Sequence, residues 1–187
     1  MSFDLNKYLG TWYELAHRRN WFQPDAGRNT TAKYRILIDS SDRKVVSVAN
    51  TTEVNGNAHT SKGKATWLGG VSFHVTFPEM ERMALSKTPG FGKPPSEMDG
   101  SSKMNPGISQ NESLRYEEDD SYPNYVIDRI WYGPDGEYLF AVVTDKDRRG
   151  LYLLSRISHP DPIDLDGLTA YLEDRFGLEG LVWTGHD

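Results

Sequence analysis

Residues 10–13 of this chain read Gly-Thr-Trp-Tyr, directly behind a short polar turn that begins at Asp4. Much later, the run Leu151-Tyr152-Leu153-Leu154-Ser155-Arg156 ends in arginine. Both segments have the character of strands, with Gly10 opening the first and Arg156 closing the last of a long series. A small closed sheet must be plugged at one end. An indole buries a large apolar area there. A guanidinium laid over it adds a stacked cation and donors for the carbonyls of the N-terminal turn. If the strands between them close into a barrel, Trp12 and Arg156 are suited to seal its floor.

Strand-like segments recur between these two points, separated by turn signals. They cover residues 11–18, 30–38, 45–53, 61–67, 71–77, 125–131, 138–144 and 151–156. Asp39-Ser40-Ser41-Asp42, Asn55-Gly56-Asn57, Gly69-Gly70 and Gly133-Pro134-Asp135-Gly136 supply the turns. After the last strand the period changes. Leu165, Leu168, Leu172 and Phe176 form a stripe at helical spacing, with Asp164 as the expected N-cap and Gly177 as the stop. Leu181-Val182-Trp183 reads as a short tail strand. The expected fold is all-β: one domain over residues 1–187, an eight-stranded antiparallel up-and-down barrel with one C-terminal flanking α-helix.

The segments Lys7-Tyr8-Leu9-Gly10-Thr11-Trp12-Tyr13-Glu14-Leu15-Ala16 and Leu151–Arg156 resemble the lipocalins, and their wording is similar to the bacterial lipocalin and apolipoprotein D branch. The resemblance covers roughly residues 3–78 and 122–185. It implies Gly10, Trp12 and Arg156 as a structural signature. It also implies a non-catalytic carrier or scavenger of a small hydrophobic ligand, a fatty acid or lysophospholipid, working as a monomer or homodimer.

Composition narrows the field. A net charge of −6, with lysine and arginine scattered along the chain, argues against a nucleic-acid partner. With no cysteine, thiolate metal sites, a cysteine nucleophile and lipid attachment at an N-terminal cysteine are excluded. No apolar stretch approaches the ~20 residues of a membrane helix. As written, the chain reads as soluble and intracellular, although a chain trimmed of a leader would read the same. The histidines His17, His59, His74, His159 and His186 show no paired metal spacing. No metal or cofactor is expected, and none of the five stands out as a haem ligand. His17 and His74 fall on the outward face by parity.

Alternation counted from an inward Trp12 predicts the ligand-facing wall. It comprises Glu14 and Ala16, then Ala32, Tyr34 and Val48, then Trp67, Phe73, Val75 and Phe77, and finally Tyr152 and Leu154. The sixth and seventh strands alternate less cleanly, and their facing stays open. Small inward residues either leave a cavity or are filled by large neighbours. Glu14 is the odd member: in an apolar cup it is either a ligand's polar contact or a structural acceptor near the floor. It is also the single candidate if the chain is a lipid-modifying enzyme instead. A protein-interaction module with a vestigial cup is the other alternative. Loop alternation puts the long insert, residues 79–121, at the open end. Met80 and Met83 lie there, suited by their adaptable thioethers to a lid over an apolar ligand or to nothing more than a polar loop.

Overall fold

The computed structural model describes residues 2–20, 23, 26–78 and 122–187. The chain opens on a single helical turn, α1 (Leu5–Tyr8), where the Asp4 side chain accepts from the Asn6 N–H at 2.9 Å. Gly10, at φ 98°, then swings the backbone into β1 (Gly10–Arg18). The strands that follow are β2 (Arg28–Asp39), β3 (Lys44–Val54), β4 (Asn57–Gly69), β5 (Ser72–Thr76), β6 (Tyr125–Tyr132), β7 (Tyr138–Thr144) and β8 (Leu151–Ser155). Helix α2 (Pro162–Phe176) and β9 (Leu181–Trp183) complete the fold. From β1 to β8 each strand pairs antiparallel with the next. β1 closes the ring by pairing with β8 on one side and, through Gly10–Tyr13, with β2 on the other. Past that point β1 leaves β2 and takes β9 as its neighbour over Ala16–Arg18. The architecture is a closed eight-stranded antiparallel barrel with one added strand and a C-terminal helix. The insert at 79–121 lies outside the described residues.

Two apolar clusters share the same strands. One fills the barrel around Trp12, Tyr34, Phe73 and Leu154. The other lies outside, where Leu168 and Leu172 of α2 cover Leu15, Ala16, Phe140, Val142, Leu151 and Leu153. β7 is therefore buried on both faces, which is why it reads as a continuous apolar run rather than an alternating one. The helix begins before the expected Asp164. Asp161 is the N-cap, accepting from the Ile163 N–H at 2.9 Å, and Pro162 takes the first helical position. Proline suits that position because its fixed φ is already helical and its missing N–H is not needed. Asp164 sits in the first turn instead.

The floor follows the expectation. Trp12 is fully buried, and the Arg156 guanidinium carbon lies 3.9 Å from its ring centroid. Arg156 donates to three carbonyls, those of Thr11 (2.7 Å), Lys7 (2.7 Å) and Leu9 (2.8 Å). The indole N–H donates to the Tyr8 carbonyl at 2.8 Å. A Cβ on Gly10 would lie 3.3 Å from Arg156 Nη1, so glycine serves both the φ and the approach of the guanidinium.

One expectation about β1 fails. Glu14 pairs with Leu154 and Ala16 with Leu153, so Leu15 is an extra residue in the ladder. This β-bulge inverts the parity beyond it. Ala16 leaves the predicted wall and packs beneath α2, while His17, expected outward, is buried at 2% exposure and faces the side chain of Glu14.

Trp12→Ala should destabilise the protein by ~3–5 kcal/mol, the usual cost of truncating a large buried aromatic. Arg156→Lys should cost about 2 kcal/mol, since an ammonium cannot cover the ring and reach three diverging carbonyls together. Urea melts of both variants check these values, and a loss under ~1 kcal/mol for Trp12→Ala would show that the indole does not seal the floor.

Candidate interior binding site

The closed end is filled from below as well as from the wall. Phe3, Leu5 and Tyr8 rise from the N-terminal segment into the barrel, with the Tyr8 ring centroid 5.0 Å from Trp12 and 5.5 Å from Tyr34. Phe73 and Tyr125 meet edge to face at 5.8 Å. Among these rings the floor keeps a void of about 10 Å³, lined by Tyr8, Tyr34, Val46, Ala65, Phe73 and Tyr125. That is room for one water molecule at most. The volume that Ala65 leaves is thus taken by aromatic neighbours.

Three hydroxyls meet in this packing. Tyr125 lies 2.7 Å from the Tyr8 hydroxyl and 2.9 Å from that of Tyr34. Burial holds all three phenols above their ordinary range, and it pushes Tyr34 from 10.0 up to about 12.

Further along β1, toward the mouth, the wall turns polar at one place. Glu14 Oε1 accepts from Gln23 Nε2 at 2.7 Å and from the Thr184 hydroxyl at 2.9 Å, and His17 Nδ1 lies 2.9 Å away. The C-terminal tail supports this cluster from behind. Thr184 N–H donates to the Leu15 carbonyl, and His186 Nε2 lies 2.8 Å from the Glu14 carbonyl. Tyr152 stands opposite His17 on β8, with its hydroxyl 3.4 Å from Asn20 Nδ2. Burial first, and the Glu14 carboxylate second, push the Tyr152 phenol upward. Behind burial, the Glu14 charge raises the phenols of both Tyr34 and Tyr152.

The expected wall is placed as follows. Ala32, Tyr34, Val48, Phe73 and Leu154 are buried in the interior cluster. Trp67, Val75, Phe77 and Tyr152 pack against it but are only partly covered. Glu14 is interior and Ala16 is not. Met80 and Met83 lie outside the described residues. Sequence alternation missed His17, Tyr8, Phe3 and Tyr125. The one hint of the bulge is a pair of consecutive apolar residues, Leu15-Ala16, held between the polar Glu14 and His17. Among the described residues no group of three or more His, Cys, Asp or Glu is placed to hold a metal ion.

Gly63 sets the height of the far wall. A Cβ there would lie 2.3 Å from the Thr76 carbonyl oxygen and 2.7 Å from the Phe77 ring. Gly63→Val should cost ~1–3 kcal/mol in a urea melt, through displacement of β5.

The tyrosines give a pH prediction. Between 10.0 and about 12 the folded Tyr34 keeps a proton that the unfolded chain has lost. Stability from this group is complete below about pH 10 and is lost as pH rises toward about 12. Urea midpoints should fall steeply over that window, and Tyr34→Phe should flatten the slope. Equal slopes would show that Tyr34 titrates normally in the fold.

Residues 3–88 match a family model described as a lipocalin-like domain. A protein of Acanthamoeba polyphaga mimivirus named as a lipocalin is 36% identical over 64 residues, which are 34% of this chain and 35% of that protein. The match thus spans about a third of the relative's length. Among solved structures, a major allergen of cockroaches, Per a 4, superposes with a TM-score of 0.55 at 18% identity, over 99% of this chain and 89% of the other. A siderocalin, Ex-FABP, described as functioning through dual ligand specificities, superposes with a TM-score of 0.51 at 11% identity, over 97% of this chain and 95% of the other. At these identities the two structures speak for the fold.

Proposed function

We propose that this chain is a member of the lipocalin family and that it binds and carries a small hydrophobic molecule in the upper part of its barrel. The observation behind this reading is an asymmetry in the wall. Toward the mouth, Phe77 and Tyr152 join the interior cluster and stay incompletely covered, whereas the rings of Tyr8, Tyr34, Phe73 and Tyr125, with Val75 beside them, leave a void of only about 10 Å³. Half-covered apolar side chains inside a closed barrel are surface that a ligand can bury.

An elongated chain with one polar end fits this shape, and a fatty acid or lysophospholipid is of that kind. Roughly twelve buried carbons at ~0.8 kcal/mol each contribute about 10 kcal/mol. Set against an association cost of at least ~4 kcal/mol, this leaves about 6 kcal/mol, a dissociation constant in the tens of micromolar. A catalytic reading would rest on Glu14. Three neighbours converge on one of its oxygens, which favours a holding role over an attacking one.

Native mass spectrometry of purified protein should show co-purifying or added acyl-chain ligand at one per chain. Dye displacement by dodecyl compounds should saturate in the tens of micromolar. Neither bound nor bindable lipid, whatever its end group, would refute carriage.

A further inference from the structure

We propose that His17 Nε2 is the polar anchor of the barrel's ligand and accepts a hydrogen bond from a neutral hydroxyl at that ligand's end. The inference rests on the carrier reading above and names the end group that the site selects.

The ring's orientation follows from its neighbours. The His17 side chain is 3% exposed, and that of Glu14 is 7% exposed. Gln23 Nε2 and the Thr184 hydroxyl already donate to Glu14 Oε1, the oxygen that faces His17 Nδ1. An oxygen on which donors converge in this way is that of a carboxylate, which only accepts. Nδ1 lies 2.9 Å from this oxygen and 3.3 Å from Gln23 Nε2, and the shorter contact to a pure acceptor puts the proton on Nδ1. In the neutral imidazole, the form in which this proposal takes the ring, a proton on Nδ1 leaves the lone pair on Nε2. Nε2 is buried and has no hydrogen-bond partner among the described residues. Buried polar side-chain atoms are nearly always paired, so an oriented imidazole with one unmet acceptor is a feature to be explained.

The surroundings decide what this acceptor can take. Tyr152 stands opposite on β8, and its phenol, raised by burial and then by Glu14, is neutral at ordinary pH. Tyr34 on β2 is neutral for the same first reason. Gln23 and Thr184 are uncharged, and His186 on the tail faces the Glu14 carbonyl. The formal charge bonded to the ring is that of Glu14. A ligand carboxylate would thus bring lone pairs toward a lone pair, with a second negative charge behind it. An ammonium could donate, but only by carrying a full charge into an apolar wall. A methyl ether has nothing to donate. A hydroxyl supplies the missing proton without adding charge. Its arrival at Nε2 must displace the side chains now closed over that atom.

The test uses four twelve-carbon probes on the intact protein: dodecan-1-ol, dodecyl methyl ether, dodecanoate and dodecylamine. Displacement of the neutral dye Nile red at neutral pH reads their affinities. Wild-type protein should bind the alcohol about tenfold more tightly than the ether, as one buried hydrogen bond allows, and more tightly than the acid or the amine. His17→Asn keeps an amide N–H near the Nδ1 position for Glu14 and has nothing in place of Nε2. It should lower the alcohol to the level of the ether and leave the ether unchanged. An alcohol preference that survives in His17→Asn, equal binding of alcohol and ether to wild-type protein, or tighter binding of acid or amine would each overturn the proposal. Should the variant fail to fold, ¹⁵N spectra of wild-type histidines decide. The His17 Nε2 resonance should move with the alcohol and not with the ether, and an unmoved resonance overturns the anchor. If none of the four probes binds wild-type protein, the carrier reading fails and this inference falls with it. Binding of all four without preference sinks the inference alone.

Discussion

The stack of Arg156 on Trp12 holds the structure together at its closed end. The guanidinium lies 3.9 Å above the indole and donates to the carbonyls of Lys7, Leu9 and Thr11. Those carbonyls belong to α1 and to the start of β1, so the last barrel strand is tied to the first through one side chain. The chain segment before β1 is held against the floor as a result. It then delivers Phe3, Leu5 and Tyr8 into the interior. Burial lowers the Arg156 pKa, while the neighbouring Tyr8 and Glu137 act the other way. Lysine could supply the charge but not the plane or the fork.

The second constraint is the bulge at Leu15. Without it, β1 would alternate to its end and point Ala16 into the barrel. With it, two successive apolar residues face α2 and two polar ones, Glu14 and His17, face the interior. One extra residue thus secures the outer helix and builds the polar cluster. The C-terminal tail completes the arrangement, because β9 takes the place beside β1 that β2 has left. Thr184 then reaches the Glu14 carboxylate, and together with Gln23 and His17 it surrounds the buried oxygen with hydrogen-bonding partners.

These two constraints divide the barrel into unlike halves. Near the floor, aromatic rings leave about 10 Å³, and the tyrosine hydroxyls satisfy one another. Toward the mouth, Phe77 and Tyr152 are partly covered, and His17 Nε2 is buried without a hydrogen-bond partner among the described residues. A ligand held in this barrel would find apolar contact over most of its length and hydrogen-bonding capacity at one point. Such a division favours shape and end-group chemistry over chain length as the basis of selection.

The sequence by itself determined the strand order, the turns, the closing helix and the Trp12–Arg156 floor. Each of these depends on local chemistry: side chains alternate along a strand, glycine and asparagine mark turns, and an indole of this size must be covered. It also placed Glu14, Tyr34, Phe73 and Leu154 in the interior, since all four precede or lie away from any break in alternation. Tertiary structure alone decided the facing of Ala16 and His17, because a bulge is set by how β1 must meet β8 and α2 together. Tertiary structure also decided that the space beside Ala65 shrinks to a void of about 10 Å³. The rings that fill its space come from Tyr8, Tyr34, Phe73 and Tyr125, residues far apart in the chain, and no period within one strand records their meeting.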